Sequence, residues 1–192
     1  MAEDDEDRAA VDDRDRLRAI VRERAVLRLP EPVELASGGF SDTFVDVKKA
    51  MAHGPHLELA CRVIARQLAE AGIGYDVVGG MTLGADQFSY GIALVTGCGW
   101  YVVRKEPKGR GTNRQIEGSE LGPGVRAVVV EDAVSTGGSL LKALDVVAAT
   151  GADVAAAVTL VDRGDALAPV LAARGVAYQP VFTYADVGLE PL

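Results

Sequence analysis

Cysteine is scarce: Cys61 and Cys98 are the only two among 192 residues. A pair so far apart supplies neither a disulfide framework nor the ligand set of a structural zinc site. Histidine is as rare, and His53 and His56 read better as capping or surface residues than as metal ligands. No apolar run approaches the roughly 18 residues of a membrane span. The opening residues, Met-Ala-Glu-Asp-Asp-Glu-Asp, lack the basic and apolar regions of a secretory signal, so a reducing cytoplasm is the expected location. Basic residues are in deficit, 20 against 28 acidic ones, for a net charge of −8. That balance disfavours general affinity for nucleic acid or an anionic membrane. An anionic substrate would need a local cluster of cations.

What is present supports one folded unit, since 48% of the residues are hydrophobic. Residues 1–13 are strongly acidic and are expected to form a disordered tail, leaving 14–192 as one domain. Leu17, Ile20, Val21 and Ala25 fall at helical spacing within a predicted helix from Asp12 to Leu29, which Pro30 and Pro32 end. Residues 35–49 read as a hairpin, strand to glycine turn to strand. His56 to Ala71 is an amphipathic helix, with Leu59, Val63, Ile64 and Leu68 inward and Cys61 a small core residue. Predicted strands then alternate with helices: Val77 onward, helix 88–96, Trp100 to Val103, Ala127 to Val130, the helix from Ser139, Val154 to Asp162, helix 165–174 and strand 177–184. This alternation implies an α/β fold with a mainly parallel central sheet flanked by helices, and a small N-terminal hood.

The stretch Val125 to Ser139 carries the sharpest chemical signal. Ala127 to Val130 is a β-branched run of the kind buried on both faces of a parallel sheet. The run is expected to stop at Glu131 and Asp132, followed by the loop Ala133-Val134-Ser135-Thr136-Gly137-Gly138 and a helix opening at Ser139. A strand end leading into a helix start binds anions, each such interaction contributing roughly 0.3–2 kcal/mol. Two acids beside a phosphate would repel it unless they address something polar next to it. Carboxylates accept hydrogen bonds and a ribose diol donates two, so the stretch points to a sugar phosphate. The competing reading is a capping serine with two solvated acids.

Two further segments bear on an anion. In Val78-Gly-Gly-Met-Thr-Leu-Gly-Ala-Asp86, the amides of Gly79, Gly80 and Thr82 are candidates to hold pyrophosphate oxygens. The segment has neither a dinucleotide-binding glycine fingerprint nor a Walker lysine. Between Arg104 and Gly118, the cations Arg104, Lys105, Lys108, Arg110 and Arg114 gather a quarter of the chain's 20 basic residues. Pro107, Gly109 and Gly111 forbid a stable helix there and suit a mobile lid.

Val128-Val-Val-Glu-Asp-Ala-Val-Ser-Thr-Gly-Gly-Ser139 resembles the motif of type I phosphoribosyltransferases that binds PRPP (phosphoribosyl pyrophosphate). Four separate segments between residues 35 and 188 follow the order of the orotate phosphoribosyltransferases in particular. These are the Ser37-Gly38 hairpin with its Val-Asp-Val-Lys-Lys run, the Gly79 to Asp86 segment, the basic loop and the acidic motif. The resemblance implies transfer of a phosphoribosyl group from PRPP to orotate, giving orotidine monophosphate and pyrophosphate in pyrimidine biosynthesis. It implies that Lys108, Arg104, Lys105 and Arg110 act on the leaving pyrophosphate. Glu131 to Ser139 would hold PRPP, with Ser135 and Arg163 at orotate. Mg²⁺ would be held mainly by PRPP itself, and a homodimer would share the basic loop across subunits. The chain departs from the family at Ala36, where many members carry a lysine, and at Arg110, which replaces the usual loop histidine. Other readings are a transferase for another base, or a PRPP-sensing regulatory protein without catalysis. A surface salt bridge is the competing role for Arg163.

Overall fold

The computed structural model describes residues 12–34, 40–106 and 115–191. Helix α1 covers residues 12–20 and continues as a π turn, Val21–Ala25. Strands β1 (Val26–Glu34) and β2 (Phe40–Val45) pair antiparallel as a two-stranded sheet, the hood. Helices α2 (Val47–Met51) and α3 (Gly54–Glu70) lead into strand β3 (Val77–Met81). Then come α4 (Asp86–Thr96), β4 (Gly99–Val103) and β5 (Ile116–Gly118). The chain continues with β6 (Arg126–Val134), α5 (Gly138–Ala148), β7 (Asp153–Asp162), α6 (Leu167–Ala173) and β8 (Tyr178–Thr183).

The main sheet runs β5-β4-β3-β6-β7-β8, parallel except for the antiparallel edge strand β5. From β3 the chain moves outward to β4 and later returns to place β6 on the other side of β3. That reversal makes the carboxyl ends of β3 and β6 the switch point, where open α/β sheets bind ligands. Helices cover both faces. Leu17, Ile64, Phe88 and Ile92 pack with Val128 and Val130 on one side, and Leu140, Leu144, Leu167 and Leu171 pack with Ala127 and Val129 on the other. Each such fully buried aliphatic side chain contributes roughly 1.5–3 kcal/mol.

Two glycines of β3 are fixed by packing. A Cβ on Gly79 would lie 2.2 Å from the Tyr101 carbonyl oxygen and 2.6 Å from its ring. The ring crosses β3 there, and the buried Tyr101 hydroxyl donates to the Val128 carbonyl at 2.9 Å, joining β4 to β6. On the opposite face, a Cβ on Gly80 would meet the Val130 carbonyl at 2.1 Å and the Ala85 side chain at 2.7 Å.

Several sequence expectations are corrected. The first helix ends at Ala25, and Val26–Glu34 is a strand that contains both prolines. Among the described residues it pairs with β2 alone, and its register shifts between Arg28 and Val33, where missing proline donors cost no ladder bond. The hairpin therefore starts earlier than expected, and the glycine turn expected at Gly38 and Gly39 lies outside the described residues. Lys48 and Lys49 belong to helix α2, because the Asp46 side chain caps it by accepting from the Lys49 amide at 3.1 Å. Strand β6 does not stop at Glu131; it pairs with β7 as far as Val134, since a backbone ladder is indifferent to side-chain polarity. Residues 12 and 13 lie in α1, where Asp13 pairs with Arg66 at 3.3 Å, so only 1–11 of the expected tail lie outside the described residues.

Candidate active site

A cavity of about 590 Å³ opens at the switch point. Lys105 and the whole run Glu131 to Ser139 line it, together with Lys48 and the Met81 to Gly84 loop. Nine of the residues expected to bind PRPP, from Glu131 to Ser139, thus share one cavity with Lys105.

The loop after β6 is shaped to present backbone donors. Gly137 has φ +76°, and a Cβ there would strike the Leu167 side chain at 2.5 Å, so only glycine suits both the turn and the packing. Among the described residues, no backbone amide from Ser135 to Leu140 donates to another protein group; the first that does is Leu141, to the Gly137 carbonyl at 2.9 Å. Six consecutive free amides at the start of an 11-residue helix form an anion cradle.

The two acids lie beside it and are buried, which overturns the reading of them as solvated. Asp132 Oδ1 accepts from the Ala133 amide at 2.8 Å, and Oδ2 pairs with Lys48 Nζ at 2.6 Å. Glu131 Oε1 accepts from the Asp132 amide at 3.2 Å. Both carboxylates press on the β3 loop, where a Cβ on Gly84 would stand 2.2 Å from Glu131 Oε1 and 2.7 Å from Asp132 Oδ1. Burial first, and then the neighbouring Asp132, push the Glu131 carboxyl up to about 8.

This shift makes stability depend on pH. The folded chain keeps the Glu131 proton up to about 8, whereas an unfolded glutamate releases it near 4.5. The contribution is complete below about 4.5, falls as pH rises through that window and is gone above about 8. Thermal melting from pH 5 to 9 should therefore fall more steeply for the natural chain than for Glu131→Gln. Parallel curves would refute the buried, proton-holding carboxyl.

The β3 loop differs from expectation. The Gly79 and Gly80 backbones belong to β3, Gly79 pairing with Tyr101 and Val129, and the Thr82 amide donates to the Val103 carbonyl at 2.9 Å. The Thr82 hydroxyl donates to Asp86 Oδ2 at 2.8 Å. Among the described residues of this loop, Thr82 to Ala85, the amides with no protein acceptor are instead those of Leu83 and Gly84, the two residues after Thr82.

The basic loop is described only at its base. The Arg104 amide donates to the Gln115 carbonyl at 2.8 Å and the Gln115 side chain returns a bond to the Arg104 carbonyl at 3.0 Å, clasping the two ends. The Arg104 guanidinium lies 3.8 Å from Glu117 and does not line the cavity, unlike Lys105. Lys108, Arg110 and Arg114 lie outside the described residues.

Arg163 and Ser135 line different cavities. Arg163 lines a second cavity of about 520 Å³ with Phe40 to Thr43 of the hood and Gly188 to Pro191. The residue is 8% exposed, and its Nη2 donates to the Thr43 carbonyl at 3.1 Å. A carbonyl partner and this burial replace the surface salt bridge considered above. Its Nε is buried without a protein acceptor, and burial lowers its pKa. The walls of the two cavities adjoin at the strand ends, where the Arg163 amide donates to the Val134 carbonyl at 2.8 Å. Asp162 holds this corner by accepting from the Gly164 amide at 3.1 Å and the Tyr178 hydroxyl at 2.7 Å.

Lys48 and Tyr178 were not singled out from the sequence. The only signal for Lys48 was its place in the Val-Asp-Val-Lys-Lys run; Tyr178 had none. Among the described residues, no group of three or more acidic, histidine or cysteine side chains could hold a metal ion. His56 Nδ1 contacts the Ala50 carbonyl at 3.1 Å, in keeping with a role at a helix start. Among the described residues, no helix is long and apolar enough to cross a membrane.

Comparison with known proteins agrees with this geometry. The family model of the phosphoribosyl transferase domain matches residues 48–179. The orotate phosphoribosyltransferase of Mycobacterium tuberculosis H37Rv is 39% identical over 182 residues, 93% of this chain and 98% of that one. The orotate phosphoribosyltransferase of Thermococcus gammatolerans is 38% identical over 153 residues, 80% of each chain. The crystal structure of the M. tuberculosis enzyme in complex with PRPP superposes with a TM-score of 0.76 at 37% identity, covering 92% of this chain and 99% of that one.

Proposed function

The chain belongs to the phosphoribosyl transferase domain family, among the orotate phosphoribosyltransferases, and from that premise we infer that it transfers the phosphoribosyl group of PRPP to orotate. The products are orotidine monophosphate and pyrophosphate, a step of pyrimidine biosynthesis. One observation carries the assignment of the site: six unbonded amides from Ser135 to Leu140 lie beside two buried carboxylates at the sheet's switch point.

The 5′-phosphate of PRPP sits on those amides, with Ser135, Thr136 and Ser139 adding hydroxyl donors. Glu131 and Asp132 take the ribose diol. Because the Glu131 carboxyl is raised to about 8, the pair carries less than two negative charges at neutral pH, which lessens repulsion of the phosphates. The amides of Leu83 and Gly84 face the pyrophosphate, with Lys105 beside them. Arg163 pairs with the orotate carboxylate through the guanidinium donors that its bond to the Thr43 carbonyl leaves free.

Chemically, the anomeric C–O bond to pyrophosphate breaks, its electron pair leaves with pyrophosphate, and orotate nitrogen bonds the anomeric carbon. Orotate carries its charge on the carboxylate; the proton on the reacting ring nitrogen leaves as the new bond forms and passes to the departing pyrophosphate or to water, so no strong general base is required. Lys108, with Arg104, Lys105 and Arg110, stabilises the departing charge when the loop closes and excludes water. The described residues offer only the Glu131–Asp132 pair near that charge, which suits a Mg²⁺ ion held mainly by PRPP oxygens rather than by a protein cage. Bound there, the ion would neutralise pyrophosphate charge, with Glu131 and Asp132 reaching the diol directly or through it. The same reading extends to a cytoplasmic homodimer that shares the basic loop across subunits.

Loss of orotate's ultraviolet absorbance with PRPP and Mg²⁺ tests the assignment. Lys108→Ala should lower the rate about a hundredfold, since a contact to developing charge is worth on the order of 3 kcal/mol. No absorbance loss, with PRPP binding intact, would refute orotate as acceptor and favour another base or a PRPP sensor.

A further inference from the structure

Among the described residues lining the larger cavity, Lys48 alone comes from the region before the main sheet. Its backbone is fixed even though its side chain is 55% exposed. Val47, Ala50 and Met51 are buried around it, and the Asp46 amide donates to the Ala25 carbonyl at 2.8 Å. From that base Nζ crosses to Asp132 Oδ2 at 2.6 Å, a contact between residues 84 positions apart. The opposite oxygen of Asp132 is bound by its own chain, at the Ala133 amide. Lys48 therefore sets the rotation of this carboxylate and offsets part of the negative charge of the acid pair.

We propose that Lys48 is a positioning residue for PRPP: it aims Asp132 at the ribose diol and cancels acidic charge that would repel the substrate's phosphates. This rests on the assignment of the cavity to PRPP. A cation supplied from α2 brings the segment directly after the hood into the PRPP site, while the hood itself contacts Arg163 through Thr43.

The test compares the full-length natural chain with Lys48→Met, Lys48→Arg and Lys49→Ala. Binding of PRPP with Mg²⁺ is measured by calorimetry without orotate, alongside steady-state kinetics and thermal melting. Lys48→Met should weaken PRPP binding and raise its KM about tenfold, as loss of a charged hydrogen bond does. The KM for orotate and kcat at saturating PRPP should stay within about twofold, and the melting temperature within about 2 °C. Lys48→Arg should recover most of the affinity, and Lys49→Ala, which sits on the exposed side of α2, should match the natural chain. PRPP bound equally by the natural chain and Lys48→Met would overturn the proposal, as would a melting loss with both KM values raised together. Failure of the natural chain itself to bind PRPP would instead bring down the cavity assignment on which the proposal stands.

Discussion

Asp132→Asn should lower kcat/KM for PRPP about a thousandfold while leaving the fold intact. Asparagine keeps the shape and can still accept from the Ala133 amide, which Asp132 binds at 2.8 Å. What it loses is the second charged acceptor, the oxygen now 2.6 Å from Lys48 Nζ. A donor NH₂ would face both that ammonium and the ribose hydroxyls. Hydrogen bonds to charged groups contribute roughly 1.5–3 kcal/mol each, and losing the equivalent of two gives about 4 kcal/mol, or a thousandfold. Initial rates of orotate loss against PRPP concentration measure this, with melting as the control. A loss below about tenfold at unchanged stability would remove Asp132 from the diol site.

The second large effect is on stability. Gly79→Ala should cost about 4 kcal/mol or more, because its Cβ would lie 2.2 Å from a backbone carbonyl and 2.6 Å from the Tyr101 ring. Neither neighbour is the loose end of a flexible side chain. The ring is fully buried and its hydroxyl is tied to Val128, so relief requires parting β3 from β4 or expelling the tyrosine. For a domain of this size, melting should fall by about 10 °C or the chain should fail to fold. A variant melting within about 2 °C of the natural chain would show that the sheet absorbs the methyl group.

How much of this was legible in the sequence depended on distance along the chain. Glu131 to Ser139 is contiguous, and a buried strand followed by acids, hydroxyls and glycines states its chemistry locally. The alternation of strands and helices gave the parallel sheet for the same reason. Gly79 and Gly80 were misread because a glycine needed by a neighbouring ring looks identical, in sequence, to one needed by a ligand. Thr82 was misread likewise: its amide is taken by Val103, 21 positions later, a pairing set only when β3 and β4 align. Lys48 meets Asp132 across a still longer separation, and no local pattern encodes that meeting. Pro30 and Pro32 suggested the end of a helix, yet a two-stranded sheet with a slipped register accepts them.

The two cavities are built from different material. The larger one is floored by central strands that Tyr101 stitches together, while the one around Arg163 is walled by the β1–β2 hairpin and the segment Gly188 to Pro191. Among the described residues the hairpin pairs only with itself, so no backbone ladder of the main sheet depends on it, and its cavity-facing residues Phe40 to Asp42 lie outside the buried core. A descendant of this chain could therefore be re-fitted to a different acceptor by grafting new hairpin and tail residues, its donor half carried over unchanged. Redesign of the molecule has a natural seam, and it runs between Val134 and Arg163.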